Sequence, residues 1–152
     1  MMHRLLFVWC LLVVSGCTTY NGLKPVYPPA GQGSATVVES MQPTLRWEAD
    51  RDPSAMYDLK IVEGILSVAG VWNASWDAGR MVYHREGLRE PQHQVETPLD
   101  SSGLYLWSVR SRRSDGSVSV WSTYNHYFGF AVPGASSFAL SCHQPFRFRT
   151  PE

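Results

Sequence analysis

Apolar and polar residues alternate in three parts of the chain, at residues 45–48, 57–61 and 105–110. An alternation of period two over about four to eight residues predicts a half-buried strand, because successive side chains of a strand point to opposite faces. The pairs Asp52-Pro53 and Asp115-Gly116 predict turns after the first and third segments, and the second pair is typical of a β-hairpin. No segment of useful length has a helical period. The pattern predicts an all-β fold, an antiparallel β-sandwich.

Two stretches of this pattern resemble a known domain family. LRWEADRDPSAMYDLKI (residues 45–61) and TPLDSSGLYLWSVRSRRSDGSVSVWS (residues 97–122) are similar to a fibronectin type III domain, an immunoglobulin-like sandwich. In that family a core tryptophan lies on the second strand, a Tyr-x-Leu pattern marks the third, and a leucine lies shortly before a corner tyrosine. The matching residues are Trp47, Tyr57, Leu59, Leu99 and Tyr105. The resemblance covers residues 37–128; the proline usual after the leucine is missing, and residues 64–79 exceed the usual connection.

The first residues predict a secretory signal peptide over residues 1–16. Arg4 supplies a positive start, residues 5–14 are all apolar, and the small Ser15 and Gly16 follow. Ten apolar residues in a helix span only about 15 Å, roughly half of a hydrocarbon core. A cleaved signal therefore fits this segment better than a membrane-spanning helix.

The end of this segment, Val14-Ser15-Gly16-Cys17, resembles the lipobox of bacterial lipoproteins. In that family the cysteine thiol receives a diacylglycerol, the chain is cut before it, and the new amine is acylated. The resemblance implies that Cys17 is the lipid-attachment residue and that the protein is anchored in the bacterial cell envelope. Thr18, in place of an aspartate, favours the outer membrane with the domain facing the periplasm. The alternative is an ordinary secretory signal that ends near a cysteine.

The remaining chain is predicted to have three parts. Residues 17–34 comprise the lipidated cysteine and a flexible linker, because they are rich in proline, glycine and alanine and have no apolar period. Residues 35–130 form the fibronectin type III-like sandwich. Residues 131–152 form a C-terminal extension that adds an edge strand, wraps the sandwich or offers a peptide for strand addition.

Composition excludes some partners. The chain has 13 Lys and Arg against 13 Asp and Glu, which gives no electrostatic footprint for nucleic acid. Once the signal and the lipid account for two of the three cysteines, Cys142 has no partner for an internal disulfide. Its alternatives are burial, a mixed disulfide and an intermolecular link.

Sequence motifs for catalysis and cofactor binding do not occur. The chain contains no Gly-x-Ser-x-Gly elbow, His-Glu-x-x-His, Cys-x-x-Cys or phosphate-binding glycine loop, and its histidines have no ligand spacing. We therefore expect no catalytic residues, no metal site and no cofactor.

Three tryptophans are candidates for other roles. Trp72 and Trp76 lie four residues apart within residues 64–79, and a helical turn there would place both indoles on one side. Exposed indoles bind sugars or partner chains, whereas buried ones would cap an open end of the sandwich. Trp121 is expected to stack with Arg110 or Arg112 across a hairpin in a structural role.

Together these features predict a non-catalytic envelope lipoprotein that binds or assembles with another envelope protein. The alternative is a carbohydrate- or peptidoglycan-binding lipoprotein that uses Trp72 and Trp76. The preference for a protein partner rests on analogy between folds alone.

Overall fold

A computed structural model describes residues 14–30, 35–68, 74–130 and 138–152. Across these residues the chain is all-β, which confirms the predicted fold class. The strands are β1 (Val14–Asn21), β2 (Pro25–Tyr27), β3 (Thr36–Val37), β4 (Thr44–Trp47), β5 (Met56–Val68), β6 (Ala74–Leu88), β7 (Gln92–Gln94), β8 (Leu104–Arg112), β9 (Thr123–Phe130), β10 (Phe138–Gln144) and β11 (Phe146–Arg149). Within the described ranges, no helix has the length and apolarity needed to cross a membrane.

The strands form three sheets. A five-stranded sheet has the order β3-β11-β8-β5-β6, a three-stranded sheet has the order β2-β4-β7, and a second three-stranded sheet has the order β1-β9-β10. Neighbouring strands are antiparallel except β3 and β11, which run parallel. The first two sheets pack as a β-sandwich, and Trp47 of β4 meets Trp107 of β8 in the core with ring centroids 6.5 Å apart. The predicted sandwich is therefore confirmed.

The inward positions of the predicted strands form the core. The buried residues include Leu45, Trp47, Tyr57, Leu59, Ile61, Tyr105, Trp107 and Val109. The Tyr105 hydroxyl accepts a hydrogen bond from the Asp100 backbone N–H at 3.0 Å, which fixes the turn that follows Leu99. Burial raises the pKa of Tyr105, so the phenol stays neutral and keeps this contact.

The predicted hairpin after β8 forms around Gly116. Its φ of +83° is a conformation that glycine adopts without a steric penalty. The Gly116 N–H donates to the Arg113 carbonyl at 3.0 Å, and the Arg113 N–H donates to the Ser117 carbonyl at 2.8 Å. The Asp52 carboxylate accepts hydrogen bonds from the N–H and hydroxyl of Ser114 and so ties the hairpin to the loop before β5.

The structure differs from the predicted linker over residues 17–34. Cys17 lies in β1, which pairs with β9 from Val14↔Phe130 to Asn21↔Thr123. Strand β2 pairs with β4 at the edge of its sheet, a place where the N–H missing from Pro25 costs no ladder hydrogen bond. An edge strand that includes proline therefore has the composition of a linker, and composition alone does not distinguish the two. Residues 31–34 lie outside the described part of the chain.

The structure also differs from the predicted C-terminal extension over residues 131–152. Strand β10 pairs with β9, and β11 lies inside the five-stranded sheet between β3 and β8. Phe146 and Phe148 of β11 are both 0% exposed. The segment from Phe138 onward therefore belongs to the folded domain; residues 131–137 are not described.

Two separate segments of the chain pair with the same edge of β8. This shared edge is the reason that the C-terminal strands belong to the folded domain. Ser119 and Ser122 donate backbone hydrogen bonds to Ser111 and Val109 in its second half. Strand β11 pairs with its first half, from Phe146↔Trp107 to Arg149↔Leu104. The chain thus leaves this edge after Ser122, forms β9 and β10, and returns to the same edge as β11.

Candidate functional site

Residues 64–68 and 74–79 form the end of the β5–β6 pair that extends past β8. Strand β5 pairs with β8 only as far as Glu63↔Tyr105, whereas β5 and β6 continue to pair with each other from Gly64↔Ala78 to Val68↔Ala74. We call residues 64–68 and 74–79 the arm. Gly64 at its base permits close packing, since an added Cβ would lie 2.8 Å from Leu104 Cδ2.

The structure describes the backbone of Trp76, one of the two tryptophans of this segment. Trp76 lies in β6 at the register position opposite Leu66 of β5, so the helical turn is wrong at this residue. The side chain of Trp76 and the whole of Trp72 lie outside the described part of the protein. Their predicted role in ligand binding stays a prediction.

Aliphatic side chains of the arm are exposed to solvent. Ile65 is 53% exposed and Leu66 is 52% exposed. Because these neighbours in β5 point to opposite faces, each face of the arm presents an apolar side chain. Met81, on β6 just beyond the arm, is 55% exposed. A partner chain that covers either face would remove this apolar surface from water.

The backbone of β6 adds to this surface. Strand β6 is the edge of the five-stranded sheet, and among the described residues no strand pairs with its second side. Near its C-terminal half, the Tyr83 hydroxyl contacts His93 Nε2 at 2.6 Å and Arg85 pairs with Glu96. In the half that includes the arm, Arg80 forms an ion pair with Glu63 of the neighbouring β5. An open strand edge is a template for pairing with another chain.

The unusual length of residues 64–79 indicated a feature at this place in the sequence. It did not indicate that the feature is a pair of strands extending past the sheet. The run Ile65-Leu66-Ser67-Val68 is apolar without strict alternation, so it does not reveal a strand with two exposed faces. Exposure of a hairpin beyond its sheet depends on where the neighbouring strand ends. That position is set by β8, about forty residues further along the chain.

Cys17, the predicted lipid-attachment residue, lies within β1 opposite Tyr127 of β9. Its side chain lies outside the described part of the protein. The position nevertheless constrains the anchor, because a chain that begins at Cys17 would begin inside a paired strand. The sheet β1-β9-β10 would then lie next to the lipid, without an intervening tether.

Charged residues cover the outer face of β5 and β8. The Asp58 carboxylate, whose side chain is 0% exposed, accepts hydrogen bonds from Arg110 Nε at 2.9 Å and Arg112 Nε at 2.6 Å. Burial raises the pKa of Asp58, but the hydrogen bonds from Arg112 and Arg110 outweigh it and leave the pKa below its usual range. Arg112 also reaches Glu86 at 3.2 Å, so the charges on this face form a network.

Trp121 packs on this network. The Arg110 Cζ atom lies 4.6 Å from the centroid of its ring and the Lys60 Nζ atom lies 4.3 Å from it. The predicted stacking of Trp121 with an arginine is therefore confirmed for Arg110, and Lys60 is a second cation that the sequence did not suggest.

The acidic residues before β5 have structural partners. The side chain of Arg113 donates two hydrogen bonds to Asp50, and these hold the pKa of Asp50 at about 2. Hydrogen bonds from Ser54 and Ser114 lower the pKa of Asp52 well below its usual range. In the part of the chain that the structure describes, no group of three or more His, Cys, Asp or Glu side chains is placed to hold a metal ion.

Comparisons of the chain with protein-family models, with curated proteins and with solved structures found no match. The arm, the position of Cys17 and the outer sheet face are therefore the basis for a functional assignment.

Proposed function

We propose that this protein is a lipid-anchored, non-catalytic module of the bacterial cell envelope that binds another protein through the arm and the edge of β6. The observation that carries the proposal is the arm itself. It extends past the end of β8, exposes Ile65 and Leu66, and leaves one backbone edge of β6 open among the described residues. A partner strand would gain backbone hydrogen bonds along this edge and bury the aliphatic side chains.

The anchor in this proposal is the lipid on Cys17, inserted in the outer membrane with the domain facing the periplasm. The lipobox-like Val14-Ser15-Gly16-Cys17 supports it. Each buried methylene contributes about 0.8 kcal/mol, and two or more acyl chains hold a protein on a membrane stably. Because β1 includes Cys17, the domain would stay close to the bilayer surface.

The sandwich is proposed to be of the fibronectin type III kind. Support comes from the buried Trp47, Tyr57 and Leu59, and from the hydrogen bond between Tyr105 and the backbone after Leu99. A domain of this kind would be interrupted after Ser122, where β9 and β10 are inserted before the chain returns to β8 as β11.

The described side chains of this surface support a protein partner. The aliphatic Ile65, Leu66 and Met81 would pack against apolar side chains of a partner strand. The carbohydrate or peptidoglycan alternative depends on Trp72 and Trp76. Glycan-induced shifts in tryptophan fluorescence that vanish in a Trp72→Ala, Trp76→Ala double variant would support that alternative.

Crosslinking in intact cells tests the partner site. A photoreactive amino acid at Leu66 or Met81 is expected to give a discrete crosslinked protein, because both side chains are more than half exposed on the arm or the edge strand. The same amino acid at Val26 is the matched control, since Val26 is 54% exposed on the edge strand β2 of the other sheet.

A second variant makes this result specific. Leu66→Arg is expected to abolish the adduct from Met81 while changing the free energy of unfolding by no more than about 0.5 kcal/mol, as is usual for exposed positions. Equal adducts from Val26 and Met81, or an adduct unaffected by Leu66→Arg, would show that the arm is not the partner site.

Fatty-acid labelling tests the anchor. Cys17→Ser is expected to abolish incorporation of labelled fatty acid, because serine lacks the thiol that the lipid would modify. Cys142→Ser is the control and should retain full labelling. Labelling that persists in Cys17→Ser would exclude Cys17 as the attachment residue.

A further inference from the structure

A small cavity opens on the outer face of the five-stranded sheet, beside Trp121. Its volume is about 190 Å³, and it is lined mainly by Lys60, Val62, Ala78, Leu106, Trp121 and Pro145. Leu106 occupies an outward position of β8 and yet is only 1% exposed. An apolar residue at an outward strand position thus forms part of a recess, where the alternating pattern predicts a polar surface.

Lys60 places a positive charge at this recess. Its Nζ atom lies 4.3 Å from the centroid of the Trp121 ring. Asp58, two positions earlier on the same face of β5, is held by Arg110 and Arg112. Among the described side chains, no carboxylate lies within ion-pair distance of Lys60.

The surroundings of Lys60 favour a bound anion. Burial and the nearby Arg110 both lower the pKa of Lys60, so its positive charge is partly desolvated and lies beside a second cation. An anion in the recess would offset both the desolvation of the Lys60 ammonium and its repulsion by Arg110. A charge-assisted hydrogen bond from an ammonium to a carboxylate is also stronger than one between neutral groups.

The volume and lining define the rest of the ligand. A closed apolar cavity of about 150 Å³ is known to bind benzene, so this recess suits a body about the size of one ring. Val62 and Ala78 offer aliphatic contacts, and the Trp121 indole offers an aromatic one. A single ammonium suits a ligand with one negative charge.

We propose that this cavity binds a small monocarboxylic acid with a compact apolar body, whose carboxylate pairs with Lys60 and whose body packs on Val62 and Trp121. The site uses none of Ile65, Leu66 or Met81. One lining residue, Ala78, also belongs to the arm. Phenylacetate binding and the crosslinks at Leu66 and Met81 are measured separately, so either proposal can fail without the other.

Calorimetric titration of the full chain in phospholipid nanodiscs tests the site, with phenylacetate as the probe. Phenylacetate is expected to bind about tenfold more tightly than phenylacetamide, which has the same shape but no charge. This comparison uses only the unaltered protein, so it does not depend on the folding of a variant.

Three variants locate the binding. Lys60→Gln is expected to weaken phenylacetate binding about tenfold, whereas Lys24→Gln should leave it unchanged. Lys24 is the matched control because the chain has only these two lysines and Lys24 is exposed beside Glu48. Ala78→Leu, at an exposed position that lines the recess, should abolish binding by filling it. Equal binding of acid and amide, equal losses in the two lysine variants, or no binding of phenylacetate would overturn the proposal.

Discussion

A chain that ends at Gln144 is expected not to fold, because it lacks β11. Phe146 and Phe148 are both 0% exposed in the core. The Phe146 ring lies 5.1 Å from Trp107 and 6.2 Å from Tyr124 between centroids, so it joins β8 to β9. Truncating one buried phenylalanine to alanine costs about 3–5 kcal/mol, and domains are stable by only about 5–15 kcal/mol. Loss of both rings and of the β11–β8 ladder exceeds that margin.

Point variants test whether the two buried phenylalanine rings, and not the length of the chain, account for this loss of stability. Phe146→Ala and Phe148→Ala are each expected to lower the free energy of unfolding by about 3–5 kcal/mol in urea titrations. Arg149→Ala, at an exposed position of the same strand, should change it by no more than about 0.5 kcal/mol. A truncated chain that unfolds at the same urea concentration as the full chain would mean that residues after Gln144 are an appendage.

Asp58→Asn is expected to lower the free energy of unfolding by about 3 kcal/mol. The variant keeps the size of the side chain but removes the charge that holds Arg110 and Arg112 together on the outer face. Removing one partner of a buried ion pair costs about 3–5 kcal/mol. We expect the lower end, because the arginine side chains are 26% and 39% exposed and remain partly hydrated.

A surface ion pair provides the control. Glu63→Gln breaks the contact between Glu63 and Arg80 at 2.7 Å, in which the Arg80 side chain is 73% exposed. Such a pair contributes about 0–1 kcal/mol. Equal losses from Asp58→Asn and Glu63→Gln would contradict the central position of Asp58 in the network.

The pH dependence of stability gives a second measure of Asp58. The pKa of Asp58 in the folded protein is below that of an aspartate in an unfolded chain, about 3.9, so its contribution to stability is fully present above that pH. As the pH falls below about 4, the unfolded chain binds a proton before the folded protein does, and stability decreases. Unfolding titrations at decreasing pH should show a smaller decrease for Asp58→Asn than for the unaltered protein.

The sequence predicted the centre of the sandwich well. Residues 45–48, 57–61 and 105–110 are strands whose inward side chains are buried, and the turn at Gly116 forms a hairpin. These features are local. A strand with one face in a core must alternate along its own sequence, and a turn that needs a positive φ selects glycine at that position.

The sequence predicted the ends of the domain less well. Cys17 was assigned to a linker and Phe146 to an extension, yet β1 pairs with β9 and β11 pairs with β8. The alternation of phenylalanine and arginine over residues 146–149 fits a strand in a sheet and a strand offered to a partner equally well. Only the pairing partner distinguishes them, and that partner lies about forty residues earlier in the chain.

The candidate sites also divide into features that the sequence predicted and features that depend on strand pairing. The sequence by itself determined an all-β domain, its principal core residues and a contact between Trp121 and one of two arginines, Arg110 or Arg112. Only the tertiary structure decided that residues 64–68 and 74–79 extend past β8 as an arm, and that Leu106 and Lys60 meet in one recess. The physical reason is that burial periodicity is set by each strand alone, whereas the exposure of an edge or the formation of a cavity depends on which strands lie side by side.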